Sequence, residues 1–310
     1  MRIAVMGSGG VGGYFGARLA QGGCEVGFVA RGAHLAAMRE RGLTVRSRLG
    51  DVHLRPVLAT DDPVSLGTVD LVIIGVKLWD TEAAARAAAP IVGPGTGVLS
   101  LQNGVVKDDI LRRVLGDRPV MGGTCYIAAA IEAPGVIAHT GTMAKMVFGE
   151  YDGSRSARGE ALLEACRRAG VDVELSPDIR RAIWEKFVLI AGFNGTTAAV
   201  RTPIGPIREN PQARAFLLDA MREAVAVGRA LGVDLPADYA EARLAFCDGL
   251  PAEMTSSTLT DLEHGNRLET PWLSGAVTEL GRGVGVPTPV NRAISDILAV
   301  HAAGRSRTPA

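Results

Sequence analysis

Hydrophobic positions follow two different patterns along the chain. Up to about residue 175, short apolar runs alternate with amphipathic helical stretches, beginning with an apolar strand over residues 2–6. Strands that alternate with helices are typical of a parallel sheet joined by crossover helices. Beyond residue 176 the strand signals end, and long helical patterns follow one another, the first over residues 178–200. The pattern predicts an α/β domain over residues 1–176 and an all-helical domain over residues 177–310.

Local signals also predict where several elements begin and end. Residues 16–21, which follow a glycine-rich stretch, have the composition of a helix. Alternating apolar and polar residues over 43–48 and 52–58 predict a hairpin that turns at Gly50 and Asp51. Two shorter strands are expected near 136–139 and 145–149, and a helix is expected over 256–269.

The glycine-rich stretch lies between the first strand and the first helix. Its residues are Gly7, Ser8, Gly9, Gly10, Val11 and Gly12. Gly7 would permit a tight turn, Gly9 would let the backbone approach a pyrophosphate, and Gly12 would let the helix pack on the strand. The helix amino terminus would offer N–H groups and a positive dipole end to the phosphates. The first domain is therefore expected to be a Rossmann-type dinucleotide-binding domain.

The end of the second strand bears on which dinucleotide is bound. An NAD site usually has an acidic residue there, about 20 residues after the glycines, for the ribose 2′-hydroxyl. This chain has Arg31 at that point, and no carboxylate lies between Glu25 and Glu40. Because an arginine can pair with a 2′-phosphate, we expect NADPH rather than NADH. The alternative interpretation of Arg31 is a solvated loop arginine.

Two further polar residues end strands of the predicted sheet. Lys77 follows the third parallel strand, and Asn103 lies in a Gln-Asn-Gly segment after the next. Ligands in such sheets lie beyond the carboxyl ends of the strands, so Lys77 could contact ribose or phosphate. Asn103 could hydrogen-bond the nicotinamide amide or the substrate. A surface lysine and a turn-forming Asn-Gly pair are the alternatives.

The helical half holds a second group of candidates. Lys186, Ile190 and Asn194 share one side of a helix, and a lysine partly removed from water can donate a proton near neutral pH. Ser257 could bind a carboxylate or hydroxyl group, and Glu269 could hold a hydroxyl or a lysine. From local sequence alone, a solvated lysine and a capped helix with surface charges are the better explanations of these residues.

Composition narrows the range of functions. Lysine plus arginine and aspartate plus glutamate number 33 each, so no basic field favours nucleic acid or an anionic membrane. The longest apolar runs are too short to cross a bilayer. Four scattered cysteines predict reduced, buried thiols and a cytoplasmic protein, and five scattered histidines predict no metal site. The sequence does not decide whether the chain forms a homodimer, because any surplus apolar helix face could be core or interface.

Taken together, these motifs resemble those of the ketopantoate reductase (2-dehydropantoate 2-reductase) family over nearly the whole chain. The shared features are the glycine turn, Arg31, a Val-Lys strand end, a Gln-Asn-Gly segment, a Trp-Glu-Lys helix with a downstream Asn, and a Ser-Ser-Thr-Leu segment that leads to a Glu. The resemblance implies a Rossmann-type domain followed by a helical domain like that of 6-phosphogluconate dehydrogenases. It also implies hydride transfer from NADPH to the carbonyl carbon of a small-molecule 2-oxo acid, as in pantothenate biosynthesis.

The resemblance also implies residue roles. Lys186 would be the general acid, and Glu269 would hydrogen-bond a substrate hydroxyl near that lysine and the cofactor. Asn194 and Ser257 would contact the substrate. Asn103 would lie on the nicotinamide side, within reach of the substrate, and Lys77 would contact the cofactor. These roles suit the chemistry, because a ketone becomes an alkoxide as hydride arrives and an ammonium offers both charge and proton.

Two positions depart from the family pattern. Ile190 and Met254 stand where the family commonly has asparagines that face the substrate. The loss of two amides predicts a more apolar pocket, so a reductase for a more apolar 2-oxo acid is an alternative. A non-catalytic NADP(H)-binding regulator is the alternative from another functional class, and the presence of Lys186 and Glu269 argues against it.

Overall fold

The computed structural model describes residues 1–305, which form two compact units. The first comprises Met1–Gln102 and Lys107–Ala182, and the second comprises Asn103–Val106 and the chain from Ile183 onward. Among the helices described, none is long and apolar enough to cross a membrane.

The first unit is built on one ten-stranded sheet, with the order β4-β3-β9-β8-β7-β6-β1-β2-β5 and β10 beside β9. The strands are β1 Arg2–Met6, β2 Glu25–Val29, β3 Leu43–Ser47, β4 Val52–Leu54, β5 Leu58–Thr60, β6 Val69–Ile74, β7 Val92–Ser100, β8 Val120–Ala133, β9 Val136–Gly149 and β10 Asp172–Leu175. All neighbouring strands from β5 through β2, β1, β6 and β7 to β8 are parallel, whereas β8–β9 and β3–β4 are antiparallel.

Both faces of the central strands are buried, as expected for a parallel sheet covered by helices. Ile3 and Val5 of β1 belong to one apolar cluster, and Ala4 and Met6 belong to the cluster on the opposite face. The helices of this unit are α1 Gly10–Gln21, α2 Gly32–Arg41, α3 Thr81–Ala88, α4 Lys107–Leu115 and α5 Ala157–Arg168. This arrangement confirms the predicted Rossmann-type class.

Three local predictions for this unit were wrong. Helix α1 begins at Gly10, six residues before the predicted start, because the glycines open the helix rather than precede it. Strand β4 ends at Leu54, and Leu58–Thr60 pairs in parallel with β2 instead of completing the hairpin. The expected short strands at 136–139 and 145–149 are one strand, β9, because β8 pairs with it along both parts.

The second unit is helical throughout its described length, as predicted. Its helices are α6 Ile179–Val200, which begins in the first unit, α7 Ile204–Glu209, α8 Pro211–Ala230, α9 Tyr239–Asp248, α10 Ser257–Glu263, α11 Ser274–Val284 and α12 Pro289–Ala299. Trp184, Phe187 and Val188 of α6 are buried in its main apolar cluster. The predicted helix over 256–269 was too long, since α10 ends at Glu263 and a 3-10 turn, Thr270–Trp272, comes later.

The two units divide between Ala182 and Ile183, inside α6. The domain limits expected from the sequence, 1–176 and 177–310, fall just before this helix. Residues Asn103–Val106 belong to the helical unit, although they lie within the α/β half of the sequence. Val105 and Val106 pack against the helical core, which explains this grouping.

Candidate active site

The glycine turn joins β1 to α1 at the point where the strand order reverses. Gly7 has φ +94°, and a β-carbon there would lie 2.7 Å from the backbone nitrogen of Val76. At Gly12 a β-carbon would lie 2.2 Å from the carbonyl oxygen of Gly7. At Gly9 it would meet nothing within 4 Å. The turn therefore needs glycine at residues 7 and 12 for packing, and it faces open space at residue 9.

Ser8 anchors this turn to β2. Its backbone N–H and that of Gly7 both donate to the carbonyl oxygen of Val29, at 3.2 Å. Its hydroxyl donates to the same oxygen at 3.1 Å, and the side chain is buried. Gly9 is the N-cap of α1 and provides no side-chain cap. Because the first N–H groups of a helix have no partner within it, this end of α1 suits an anion.

Arg31 lies just beyond β2 and is exposed. It is the N-cap of α2, with an extended backbone at φ −136° and ψ 162°. Both this residue and the glycine turn are at the carboxyl edge of neighbouring parallel strands, β1 and β2. The first unit therefore has a glycine turn at a helix start and an exposed arginine at the same edge of the sheet.

Lys77 and Gln102 follow the next two strands at this edge. Lys77 is exposed, and its ammonium lies 5.8 Å from the ring centre of Trp79. Gln102 is buried and donates to the carbonyl oxygen of Val76 at 2.9 Å and to the hydroxyl of Thr81 at 2.8 Å. These bonds tie the segment after β6 to the segment after β7. Gln102 therefore has a bracing role, which its position in the Gln-Asn-Gly segment did not indicate.

A buried ion pair braces the same part of the first unit. The ammonium of Lys107 donates to the carbonyl oxygens of Gly123 at 2.8 Å and Ser100 at 3.3 Å, and it lies 3.2 Å from the Asp108 carboxylate. Tyr151 donates to Asp108 at 2.6 Å, and burial together with that carboxylate raises the pKa of the phenol. Lys107 thus connects β7 to β8. Sequence analysis did not single out this lysine.

In the second unit, Lys186 and Asn103 are in direct contact. The ammonium of Lys186, on α6, donates to the side-chain oxygen of Asn103 at 2.8 Å, across 83 residues of sequence. Both side chains are partly buried. An ammonium has three N–H donors, and this bond to an amide oxygen uses one of them. The structure therefore brings together two residues that the sequence proposed separately.

Asn194 and Ser257 form a second pair in this unit. The amide of Asn194, two turns after Lys186 on α6, donates to the hydroxyls of Ser257 and Thr258, each at 3.3 Å. Ser257 is exposed at the start of α10, while Asn194 is buried. The pair leaves a hydroxyl at the surface whose position is set by a buried amide.

Two buried hydroxyls hold this pair in place. Ser256 is the N-cap of α10, and its hydroxyl accepts from the N–H of Leu259 at 3.0 Å. The hydroxyl of Thr197, on α6, lies 2.7 Å from that of Ser256. Sequence reasoning missed Thr197, although its position three residues after Asn194 places it on a neighbouring part of the helix surface.

The remaining candidates of this unit have different surroundings. Glu269 is partly buried and precedes the 3-10 turn, where its carbonyl oxygen accepts from the N–H of Trp272 at 2.9 Å. Ile190 is 8% exposed and belongs to the apolar core, whereas Met254 is 38% exposed. The two departures from the family pattern are therefore not equivalent, because one adds to the core and the other to the surface.

A cavity at the opposite edge of the sheet contains none of these residues. It is lined by Met1, Asp70, Arg158 and Glu164, near the amino ends of the strands. Arg158 forms a two-pronged ion pair with Glu150, at 2.7 Å for each bond. Burial alone would raise the pKa of Glu150, but hydrogen bonds from Arg158 and Ser156 outweigh it and hold that pKa below its ordinary value. We therefore interpret this ion pair as structural.

Family comparison identifies the relatives of this fold and site. A family model described as "Ketopantoate reductase PanE/ApbA" matches residues 3–153, and one described as "Ketopantoate reductase PanE/ApbA C terminal" matches residues 178–302. The chain belongs to the ketopantoate reductase family. The resemblance drawn from the sequence motifs is thereby confirmed, and the chain is an oxidoreductase of this family.

Similar proteins cover almost the whole length of this ketopantoate reductase family member. A 2-dehydropantoate 2-reductase of Halobacterium salinarum is 34% identical over 300 residues, covering 96% of this chain and 98% of that protein. An oxidoreductase of Bacillus subtilis, YkpB, is 32% identical and covers 94% of this chain and 95% of its own. The crystal structure of a ketopantoate reductase from Ralstonia eutropha is 35% identical, with a TM-score of 0.89, covering 97% of this chain and 98% of that one.

Proposed function

We propose that this chain reduces a 2-oxo acid to a 2-hydroxy acid with NADPH, with 2-dehydropantoate as the leading substrate and pantothenate biosynthesis as the setting. The observation that carries the proposal is the 2.8 Å hydrogen bond from Lys186 to Asn103. A ketone gains negative charge on oxygen as its carbon is reduced, so the enzyme needs a positioned cation that can also give a proton. Lys186 has that chemistry, and Asn103 fixes where its nitrogen lies.

The choice of NADPH rests on residues of the first unit. The turn from Gly7 to Gly12 has the backbone approach and uncapped helix start that a pyrophosphate requires. Arg31 supplies a charge for the 2′-phosphate, and Lys77 supplies another for the ribose or phosphates. When bound, the nicotinamide cofactor supplies the hydride that the carbonyl carbon accepts.

The substrate would be held by polar groups of the second unit. We assign the exposed hydroxyl of Ser257 to the carboxylate or hydroxyl of the 2-oxo acid, with Asn194 holding that serine and reaching the same ligand. Glu269 would accept a hydrogen bond from a substrate hydroxyl. Lys186 would protonate the alkoxide oxygen, and Asn103 would hold the lysine during that step.

A more apolar 2-oxo acid is the second candidate substrate. The exposed thioether of Met254, two residues before the Ser256 cap, supports it, because this side chain offers apolar contact near Ser257 and no hydrogen bond. Such a site would bind branched or aromatic side chains better than the hydroxylated side chain of 2-dehydropantoate. Ile190 gives no separate support, since it is part of the core.

A substrate panel tests the proposal. Purified protein is mixed with NADPH and, in parallel, NADH, together with 2-dehydropantoate, a branched 2-oxo acid and an aromatic 2-oxo acid, and loss of absorbance at 340 nm is followed. The proposal predicts the highest kcat/KM for 2-dehydropantoate with NADPH. A preference for the branched or aromatic acid supports the second candidate. Cofactor binding without oxidation on any 2-oxo acid contradicts both and favours a regulatory NADP(H)-binding protein.

A further inference from the structure

His34 connects the glycine turn to a part of the sheet that is distant in sequence. It lies in the first turn of α2, three residues after Arg31. Its Nε2 is 2.9 Å from the carbonyl oxygen of Ser8, and its Nδ1 accepts a hydrogen bond of 3.1 Å from the backbone N–H of Gly135. Gly135 forms the turn between β8 and β9. One imidazole ring therefore bridges the turn after β1 and the hairpin.

These two contacts define the tautomer of the ring. Because Nδ1 accepts from Gly135, the proton is on Nε2, and Nε2 donates to the Ser8 carbonyl. Burial lowers the pKa of His34 below its ordinary value, although the bond to Ser8 acts in the opposite direction. The neutral ring is thus the form that satisfies both neighbours.

The bond to Ser8 has a consequence for the next residue. In a trans peptide unit the C=O and the following N–H point in opposite directions. A donor that holds the carbonyl of Ser8 therefore also sets the direction of the N–H of Gly9. Gly9 is the residue of the turn whose β-carbon position faces open space, and it caps α1. The orientation of this peptide decides whether an N–H or a C=O faces an incoming phosphate.

The hairpin supports the turn at a second point. A β-carbon on Gly10 would lie 2.1 Å from the carbonyl oxygen of Ala129 and 2.8 Å from the nitrogen of Ala130, both in β8. The backbone of β8 therefore lies directly against the first residue of α1. With Gly135 on Nδ1 of His34, the hairpin fixes both the start of the helix and the ring that holds Ser8.

We propose that His34 is a positioning residue for dinucleotide binding, which acts by holding the Ser8–Gly9 peptide with its N–H toward the pyrophosphate. The inference rests on the proposed function, since it assumes that the turn binds a dinucleotide. It extends that function to a residue that makes no contact with the reacting atoms. Arg31 and His34 then give α2 two separate tasks, one for the 2′-phosphate and one for the shape of the turn.

Paired substitutions at residue 34 separate positioning from simple packing. In His34→Gln, the amide nitrogen is as many bonds from the backbone as Nε2, so it can still donate to Ser8. In His34→Asn, the amide reaches only the level of Nδ1, and the donor to Ser8 is lost. His34→Met is a second variant without the donor, in case the Asn variant does not fold. His264→Asn, at an exposed histidine, is the control.

The main readout is the Kd for NADPH, measured by titration of its fluorescence without substrate. We expect the Asn and Met variants to bind about tenfold more weakly, as for the loss of one hydrogen bond, and the Gln variant to bind as the wild type does. The KM for NADPH should rise in parallel, while kcat at saturating NADPH stays within about twofold. Melting temperatures show which variants are folded.

These outcomes separate failure of the His34 proposal from failure of the proposed function. Equal Kd values for the wild type and the Asn and Met variants overturn the positioning role of His34. Equal weakening in the Gln, Asn and Met variants also overturns it, because packing rather than the donor to Ser8 would then matter. If the wild type binds NADH but not NADPH, the assignment of Arg31 is wrong, and the His34 comparison is made with NADH. A wild type that binds neither dinucleotide contradicts both proposals.

Discussion

The ammonium of Lys186 and the side-chain oxygen of Asn103 are 2.8 Å apart, although 83 residues separate them in sequence. Asn103 belongs to a four-residue segment that groups with the helical unit while its flanking residues belong to the sheet unit. The contact places an amide oxygen on the nitrogen that we assign as the proton donor. An amide oxygen can only accept a hydrogen bond, so this contact orients one N–H of the lysine.

Replacement of Asn103 should therefore impair turnover. In Asn103→Ala the lysine loses its anchor, and we expect kcat to fall about 10- to 100-fold, as is usual when a catalytic group is misplaced. The measurement is steady-state NADPH oxidation at saturating substrate. Asn266→Ala, an exposed asparagine bonded to Asp261, is the matched control. An unchanged kcat in Asn103→Ala would remove the anchoring role.

Ser257 should affect substrate binding more than turnover. Its hydroxyl is exposed and is held by Asn194 at 3.3 Å. In Ser257→Ala we expect the KM for the 2-oxo acid to rise about tenfold, the cost of one lost hydrogen bond, while the Kd for NADPH stays the same. Both constants are measured on the same preparation. A variant with wild-type KM would show that this hydroxyl does not touch the substrate.

Arg31 should discriminate between the two nicotinamide cofactors. In Arg31→Ala we expect the Kd for NADPH to rise about 10- to 100-fold, because a charge-assisted bond to the 2′-phosphate is lost. The Kd for NADH, which has no such phosphate, should not change. Arg48→Ala, another exposed arginine, controls for the general loss of positive charge. Equal effects on both cofactors, or none, would contradict the assignment.

The Glu150–Arg158 ion pair should make the free energy of unfolding depend on pH. The pKa of Glu150 is held below its ordinary value of 4.5, so its contribution is present above that pH and is lost as the pH falls through the lowered native value. We expect Glu150→Gln to unfold with about 2 kcal/mol less free energy at pH 7, since a charged hydrogen-bond partner is removed. In urea titrations from pH 7 to pH 3, this difference should shrink. A difference independent of pH would refute the linkage.

The sequence predicted the class of fold well because its strongest signals are local. Each of these signals can be recognised within about ten residues of sequence: buried β-branched strands, the glycine turn and the change to helical periodicity. The two errors in the strands came from long-range pairing. Nothing near Leu58 indicates that it pairs with β2, and the weak alternation of residues 140–144 hid the continuity of β9.

The sequence was enough to choose the residues of the candidate site, but it did not predict their contacts. Lys186, Asn103, Asn194 and Ser257 were all chosen from the sequence, whereas the two pairs that they form depend on how distant segments fold together. His34 carries no motif of its own, because its importance comes from the two backbone groups it joins. Thr197 is similar, since only the structure shows that it lies against the cap of α10.

The most direct test of the central claim is the turnover of Lys186→Ala, with the Kd for NADPH measured on the same sample. If Lys186 is the proton donor, kcat on the best 2-oxo acid should fall at least about 100-fold, while the Kd for NADPH stays near that of the wild type. Lys145→Ala, which removes a lysine paired with Glu174 in the sheet unit, should keep wild-type turnover. Turnover in Lys186→Ala equal to that of the wild type would contradict the account.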